Sequence, residues 1–171
     1  MRHALSGTWD GTRAAALATL AASAAALGGA LASEAWGGLV PCALCLWERW
    51  PYRILIALSL LALLLRGRLA RATLVLAAIA ALAGAGLGLV HVGVERGLWP
   101  SPLPECAAPV LGGGTMAERL ARMPATPAKP CDEPAYLLPG LPVSMAAMNG
   151  LLALALTIIL AMSAARSKEP A

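Results

Sequence analysis

Three long runs of apolar residues constrain this chain more than any other feature of its sequence. Residues 14–33 are 20 consecutive uncharged residues, and residues 72–94 and 143–165 are runs of 23, with only His91 interrupting the middle one. A helix needs about 20 mostly apolar residues to cross the hydrocarbon core of a bilayer. Each run is therefore long enough to form a membrane-spanning helix.

A fourth apolar run, residues 54–65, has only 12 residues and is too short by itself. It reaches the required length if its helix begins near Leu46, which places Glu48, Arg49 and Arg53 in the outer turns. Charged residues make up 13% of the chain, against about 25% in a soluble domain. We therefore predict an all-α membrane protein, a bundle of four transmembrane helices forming one domain over residues 1–171. The predicted helices are 14–33, 46–66, 72–95 and 143–165.

The basic residues beside these runs predict the orientation of the bundle. Short loops on the cytoplasmic side carry an excess of Lys and Arg. With four spans, the basic residues at the helix ends share one side, which places both termini in the cytoplasm and residues 34–45 and 96–142 on the outer side of the membrane. Basic residues are otherwise scattered, so no nucleic-acid partner is expected. The residues that set the orientation are Arg2, Arg13, Arg66, Arg68, Arg71, Arg166 and Lys168.

The first apolar run has an alternative interpretation as a removable signal peptide. Ala30-Leu31-Ala32 has the small residues of a cleavage site. The run is longer than the roughly 7–15 residues of a signal-peptide core, and its removal would leave the arginine-rich connection outside. A retained membrane helix is the prediction.

The long outer loop is rich in proline, which disfavours long helices and sheets. Thr115 to Glu118 has the pattern of a capping box. It predicts a short amphipathic helix with Met116, Leu120 and Met123 on one face, lying on the membrane surface. A helix packed against the rest of the protein is the alternative.

All four cysteines, Cys42, Cys45, Cys106 and Cys131, fall on the predicted outer side, where disulfides can persist. Two structural disulfides are one interpretation. It suits Cys42 and Cys45 poorly, because a bridge across two residues closes a very small loop; such pairs are typical of thiol–disulfide exchange. No metal site is predicted, since zinc sites usually combine two close ligand pairs and Cys106 and Cys131 are 25 positions apart.

Three ionisable residues near the close cysteine pair are candidates for function. Arg49 follows Cys45 by four positions, so both share a helix face, and its guanidinium is expected to lower the pKa of that thiol. A charged residue in a membrane helix indicates function by default. Glu48 is expected to pair with an arginine. His91 is a candidate proton carrier because the pKa of histidine lies near neutrality.

Several motifs in order resemble the disulfide bond formation protein B (DsbB) family, in a form typical of alphaproteobacteria. They are residues 42–49 (CALCLWER), residues 91–100 (HVGVERGLWP) leading to Cys106, the sequence Cys131-Asp132-Glu133, and residues 140–149 (GLPVSMAAMN). The resemblance covers about residues 14–165.

The resemblance implies a four-helix inner-membrane enzyme that supports protein disulfide bond formation. It would reoxidise a periplasmic thioredoxin-fold dithiol oxidase (DsbA-like) and pass the electrons to ubiquinone or menaquinone. Cys106 would be attacked by the partner's thiolate, and Cys131 would be its disulfide mate. Cys42 and Cys45 would reoxidise that pair. Cys45 would lie beside the quinone, with Arg49 stabilising its thiolate and the negative charge that develops on the quinone oxygen.

His91 and Pro51 lie in or beside these motifs, and each carries a further expectation. His91 is a further candidate for the quinone site. Pro51 follows the Glu-Arg motif and removes a helical hydrogen bond, so the second helix is expected to kink or to start later.

Two other functions are alternatives for this sequence. A vitamin K epoxide reductase-like enzyme has its cysteine pairs in the opposite order, and a non-catalytic membrane protein would use both pairs as structural disulfides.

Overall fold

The computed structural model describes residues 2–106, 115–121, 129–137, 140 and 142–166, apart from the side chains of residues 2–10 and Arg119. The described secondary structure is entirely helical. Five α-helices and one short 3₁₀ turn follow each other along the chain. The helices are α1 (Arg2–Ala35), α2 (Ala43–Leu64), α3 (Gly67–Glu95), α4 (Met116–Ala121) and α5 (Met145–Arg166), and the 3₁₀ turn is Pro104–Cys106.

The four long helices occupy the positions that the apolar runs predict, with shifted ends. The first begins at Arg2 and the second at Ala43, earlier than expected in both cases. Within the part of the chain that the structure describes, three helical segments can cross a membrane by length and composition: Gly11–Ala35, Gly67–Glu95 and Met145–Arg166. Helix α2 is not among them, since its first half carries three charged residues. Its crossing of the bilayer stays a prediction.

The long helices bury a core of large and small apolar side chains. Helix α3 packs most extensively against α5 and α2, and α1 packs mainly against α2. Many leucines on α3 and α5, such as Leu82, Leu89 and Leu151, remain exposed on the outside of the bundle. An exposed apolar belt of this extent indicates contact with lipid or another protein. Large side chains of the core are Tyr52, Leu55, Leu74, Leu156 and Leu160.

Helices α3 and α5 approach closely at two glycines. A Cβ atom on Gly88 would lie 2.7 Å from the Cα of Gly150, nearer than any real carbon contact. Small residues allow such close packing of membrane helices. The crossing of α3 and α5 therefore depends on the absence of a side chain at Gly88.

Pro51 neither delays nor ends the second helix. Helix α2 runs from Ala43 through Pro51 to Leu64, so the later start is wrong, whereas the alternative expectation of a kink stays a prediction. Pro51 is buried, and a Cβ atom on Gly84 of α3 would lie 3.1 Å from the Pro51 side chain. The proline ring is thus part of the packing between α2 and α3.

Helix α4 begins with the predicted capping box. The backbone N–H of Thr115 donates to Glu118 Oε2 at 2.8 Å, and the N–H of Glu118 donates to Thr115 Oγ1 at 3.4 Å. Met116 and Leu120 are exposed, whereas Met123 lies outside the described residues. A position of this helix at the membrane surface stays a prediction.

Candidate active site at the cysteine pairs

Cys42 forms the N-cap of α2. Its backbone is extended (φ −81°, ψ 169°), and its sulfur accepts the backbone N–H of Cys45 at 3.2 Å. The sulfur thus takes the place of the oxygen that usually caps a helix. N-cap and N3 are separated by two residues, so capping places the sulfurs of Cys42 and Cys45 2.8 Å apart, with neither in a disulfide.

This capping geometry distinguishes the two thiols. The hydrogen bond between the two sulfurs lowers the pKa of Cys42, as does the backbone N–H of Cys45, against the opposing effect of burial. The expectation that Arg49 lowers the pKa of Cys45 stays a prediction, and Cys42 is the thiol of the pair with a lowered pKa.

His91 on α3 and Glu48 on α2 form a buried pair beside Cys42. The Nε2 atom of His91 lies 3.5 Å from the Cys42 sulfur. Its Nδ1 atom lies 2.9 Å from Glu48 Oε1. The carboxylate therefore fixes the ring with its other nitrogen facing the thiol. Glu48 pairs with this histidine and not, as expected, with an arginine.

Cys106 and Cys131 form a disulfide, with their Cα atoms 5.0 Å apart. Both are buried in one cluster with Cys42, Leu44 and Val94. The structure thus joins the two cysteine pairs in a single buried cluster, although 64 positions separate Cys42 from Cys106. Cys42 is the member of the close pair that is itself buried in this cluster.

A tight turn after α3 directs the chain toward Cys106. Gly97 has a positive φ of 67°, and its N–H donates to Val94 O at 3.0 Å. The indole of Trp99 occupies the space beside Gly93 and donates from Nε1 to Val90 O at 3.0 Å. The sequence GLWP therefore folds back onto the end of α3 before the chain continues to Cys106.

A mainly apolar cavity of about 420 Å³ lies between α1, α2 and α5. Ligand pockets are commonly 300–1,000 Å³, with a few polar groups in an apolar wall. Cys45 lines this cavity whereas Cys42 does not, and His91 is also absent from its wall. The close pair therefore connects the disulfide cluster to the cavity. The other polar residues of the wall include Glu34, Glu48, Arg49, Tyr52 and Asn149.

Arg49 is held at the cavity wall by Glu34, near the end of α1, through an ion pair. Its Nε atom is buried and has no hydrogen-bond partner among the described residues, and the same is true of Asn149 Nδ2. Unpaired buried donors are rare and call for an explanation. Two such donors in the wall of a mainly apolar cavity can hydrogen-bond to an oxygen of an apolar ligand.

Glu34 and Tyr52 belong to this site but were not predicted from the sequence. Glu34 stands at the end of the first apolar run, where an acidic residue could have been matched with Arg49. Tyr52 donates from its hydroxyl to the backbone carbonyl of Asn149 at 3.3 Å, a contact between α2 and α5 that no local pattern signals.

Arg53, by contrast, is exposed, with its guanidinium 5.0 Å from the centre of the Trp50 ring.

Comparison with known proteins identifies the family. The family model described as "Disulfide bond formation protein DsbB" matches residues 12–163. The "Uncharacterized protein RP370" of Rickettsia prowazekii (strain Madrid E) is 36% identical over 122 residues, which are 70% of this chain and 69% of that protein. No solved structure matches the chain significantly. The chain therefore belongs to the DsbB family of membrane oxidoreductases that act in disulfide bond formation.

Proposed function

We propose that this protein reoxidises the dithiol of a periplasmic thioredoxin-fold oxidase and passes the electrons to a membrane quinone. The position of the close cysteine pair carries the proposal. Cys42 is buried with the Cys106–Cys131 disulfide, and Cys45, 2.8 Å away, lines the apolar cavity. The close pair thus lies between the outer disulfide and the cavity, where it can pass on electrons that enter at that disulfide.

The proposal includes α2 as a fourth span in the inner membrane, with both termini in the cytoplasm. Two of the three charges in its first half do not argue against this, and the third, the exposed Arg53, has the long stem that lets an arginine reach the membrane interface. Glu48 and Arg49 are buried and paired with His91 and Glu34, so neither charge faces lipid, as membrane burial requires. Alkaline phosphatase fused after Gly97 should be active and fused after Gly67 inactive; the reverse pattern would contradict this topology.

The first reaction is exchange at the outer disulfide. A thiolate of the partner attacks the sulfur of Cys106, the Cys106–Cys131 bond breaks, and Cys131 leaves as a thiolate. The second thiol of the partner then displaces Cys106, so the partner is oxidised and the outer pair is reduced. The reduced outer pair next reduces a Cys42–Cys45 disulfide by the same type of exchange. The described arrangement, a closed outer pair and two inner thiols, corresponds to the stage after this transfer.

The second reaction closes the Cys42–Cys45 disulfide again. It releases two electrons and two protons, the number needed to convert a quinone into a quinol. Cys42 ionises most readily, and His91 Nε2, 3.5 Å from its sulfur, is placed to accept its proton. Arg49 and Asn149 offer N–H groups at the cavity wall, where they can stabilise negative charge on a bound oxygen.

A Cys42→Ser variant tests whether the close pair takes part in turnover. We expect it to lose all turnover with a reduced thioredoxin-fold partner, beyond one exchange at the Cys106–Cys131 disulfide, while it remains in the membrane. Unchanged turnover would contradict the role given to the close pair. Membership of the DsbB family favours the proposed reaction over that of a vitamin K epoxide reductase-like enzyme.

A further inference from the structure

Three groups that bind thiophilic metals converge where α2 begins. The ligand atoms of Cys42, Cys45 and His91 all lie within 4.8 Å of one another. We propose that the reduced Cys42–Cys45 pair and His91 form a binding site for one Zn²⁺ ion, and that the bound ion holds the pair as two thiolates. No metal site was predicted from sequence, because the four cysteines do not form two close ligand pairs. Cys106 and Cys131 are bonded to each other, and His91 supplies the third ligand instead.

The distances suit a tetrahedral zinc ion. With Zn–S bonds of about 2.3 Å and a Zn–N bond of about 2.0–2.1 Å, sulfur and nitrogen ligands stand about 3.5 Å apart. The Cys42 sulfur and His91 Nε2 are already 3.5 Å apart. Two sulfur ligands stand about 3.8 Å apart in such a site, so Cys45 has to move outward by about 1 Å from its present 2.8 Å. Cys45 is only half-buried and borders the cavity, so it has space to do so.

Glu48 contacts the second nitrogen, Nδ1, of the His91 imidazole. Histidines that bind metals usually donate their other N–H to a carboxylate, which fixes the tautomer and strengthens the ligand. Glu48 Oε1 lies 2.9 Å from His91 Nδ1, and both side chains are buried. The lone pair of Nε2 is thereby directed toward the sulfurs. This carboxylate is a second observation, independent of the cysteines, that indicates a metal site.

Binding is selective for the reduced pair. Zn²⁺ displaces one proton from each thiol, and two Zn–S bonds form as two protons leave. Two thiolates balance the charge of a divalent ion, which suits a buried site. In the oxidised pair the sulfurs are bonded to each other and offer no thiolate. With three protein ligands, the fourth zinc position is left to solvent. If the proposed function holds, the ion blocks closure of the Cys42–Cys45 disulfide and stops turnover until it leaves.

The test uses Co²⁺ as a spectroscopic probe for the same ligands. In the full chain carrying Cys106→Ser and Cys131→Ser, only the close pair can bind or oxidise. The reduced, quinone-free protein should bind one equivalent of Co²⁺, with thiolate-to-cobalt charge transfer and tetrahedral d–d absorption, and Zn²⁺ should displace it. The same protein with its pair oxidised should show neither band. Equal binding by the two redox forms would overturn the proposal, and this comparison requires no further variant.

Two variants and a matched control test the ligands themselves. His91→Ala should weaken Co²⁺ binding at least tenfold, and Glu48→Gln by about tenfold to a hundredfold. Glu95→Gln is the control, because this carboxylate lies one turn further along α3 and accepts a hydrogen bond from Ser144; its affinity should be unchanged. An unaltered spectrum and affinity in a folded His91→Ala protein would remove His91 from the site.

The outcomes for the metal site and for the proposed function are separable, since Co²⁺ binding is read without partner or quinone. Binding without turnover would leave the metal site and contradict the enzyme. Turnover without Co²⁺ binding would support the proposed function and contradict the metal site.

Discussion

Glu48 on α2 and His91 on α3 are joined by a 2.9 Å hydrogen bond between two buried side chains. The remaining nitrogen of the imidazole faces the sulfur of Cys42 at 3.5 Å. The pair therefore links two helices and also positions a proton acceptor beside the thiol that ionises most readily.

Replacing His91 should slow oxidation of the close pair without preventing exchange at Cys106. General acid–base groups contribute about a hundredfold or more to rate, so His91→Ala should lower the rate of quinone-dependent Cys42–Cys45 oxidation by about that factor. Glu48→Gln should cost less, because its amide oxygen can still accept from Nδ1. Stopped-flow measurement of thiol oxidation checks the rates, and formation of a mixed disulfide between Cys106 and the partner is the control. A fall in both reactions would indicate a purely structural role.

The pKa of Cys42 should depend on the thiol of Cys45. A lowered pKa means that Cys42 is ionised and reacts with iodoacetamide at a lower pH than an ordinary thiol. Cys45→Ala removes the hydrogen bond that lowers the pKa, so the midpoint of the pH–rate profile should move to higher pH. Mass spectrometry of the alkylated, metal-free protein with a chelator present gives both profiles. An unchanged midpoint in Cys45→Ala would show that this hydrogen bond is not the cause.

Arg49 should matter to the quinone step, and Arg53 should not. Arg49 is buried at the cavity wall with an unpaired Nε, whereas Arg53 is exposed on the same helix. Loss of one donor to a developing negative charge costs about a hundredfold or more in rate. Arg49→Ala should reduce quinone turnover to that extent, Arg53→Ala should leave it nearly unchanged, and exchange at Cys106 should survive in both. Equal quinone kinetics in Arg49→Ala and the unmodified protein would remove the role given to Arg49.

The glycine contact between α3 and α5 predicts that alanine lowers the thermal stability at Gly88 and does not lower it at Gly86. A methyl group on Gly88 would meet the backbone of Gly150 at 2.7 Å, while a methyl group on Gly86 would meet nothing within 4 Å. Overpacking costs about 1–3 kcal/mol, so Gly88→Ala should lower the thermal unfolding midpoint in detergent. Gly86→Ala should leave it unchanged or slightly higher, since alanine favours helix. Equal midpoints for the two variants would contradict the close crossing.

The fold was predictable from sequence where the pattern is long and regular. Apolar runs of 20 residues or more located three of the long helices, because bilayer thickness sets their length. The start of α2 was less predictable. Cys42 caps the helix through its sulfur, and cysteine is not among the usual capping residues.

The site was predictable only in part, because spacing along one helix does not give partners on another. The spacing of four positions from Cys45 to Arg49 predicts a shared helix face, and both residues line the cavity. The partners of Glu48 and Arg49 come instead from α3 and α1. Contacts between distant segments depend on helix packing, which a pattern of apolar residues does not specify.

The most direct test of the proposed electron route measures partner thiols and quinone in one reaction. Purified protein is mixed with a reduced thioredoxin-fold oxidase and ubiquinone, and the loss of partner thiols is followed together with quinone absorbance, with a menaquinone reaction run in parallel. The proposed route predicts one quinol formed for every two partner thiols lost, and no quinol with Cys42→Ser. Thiol loss without a matching amount of quinol from either quinone would contradict it.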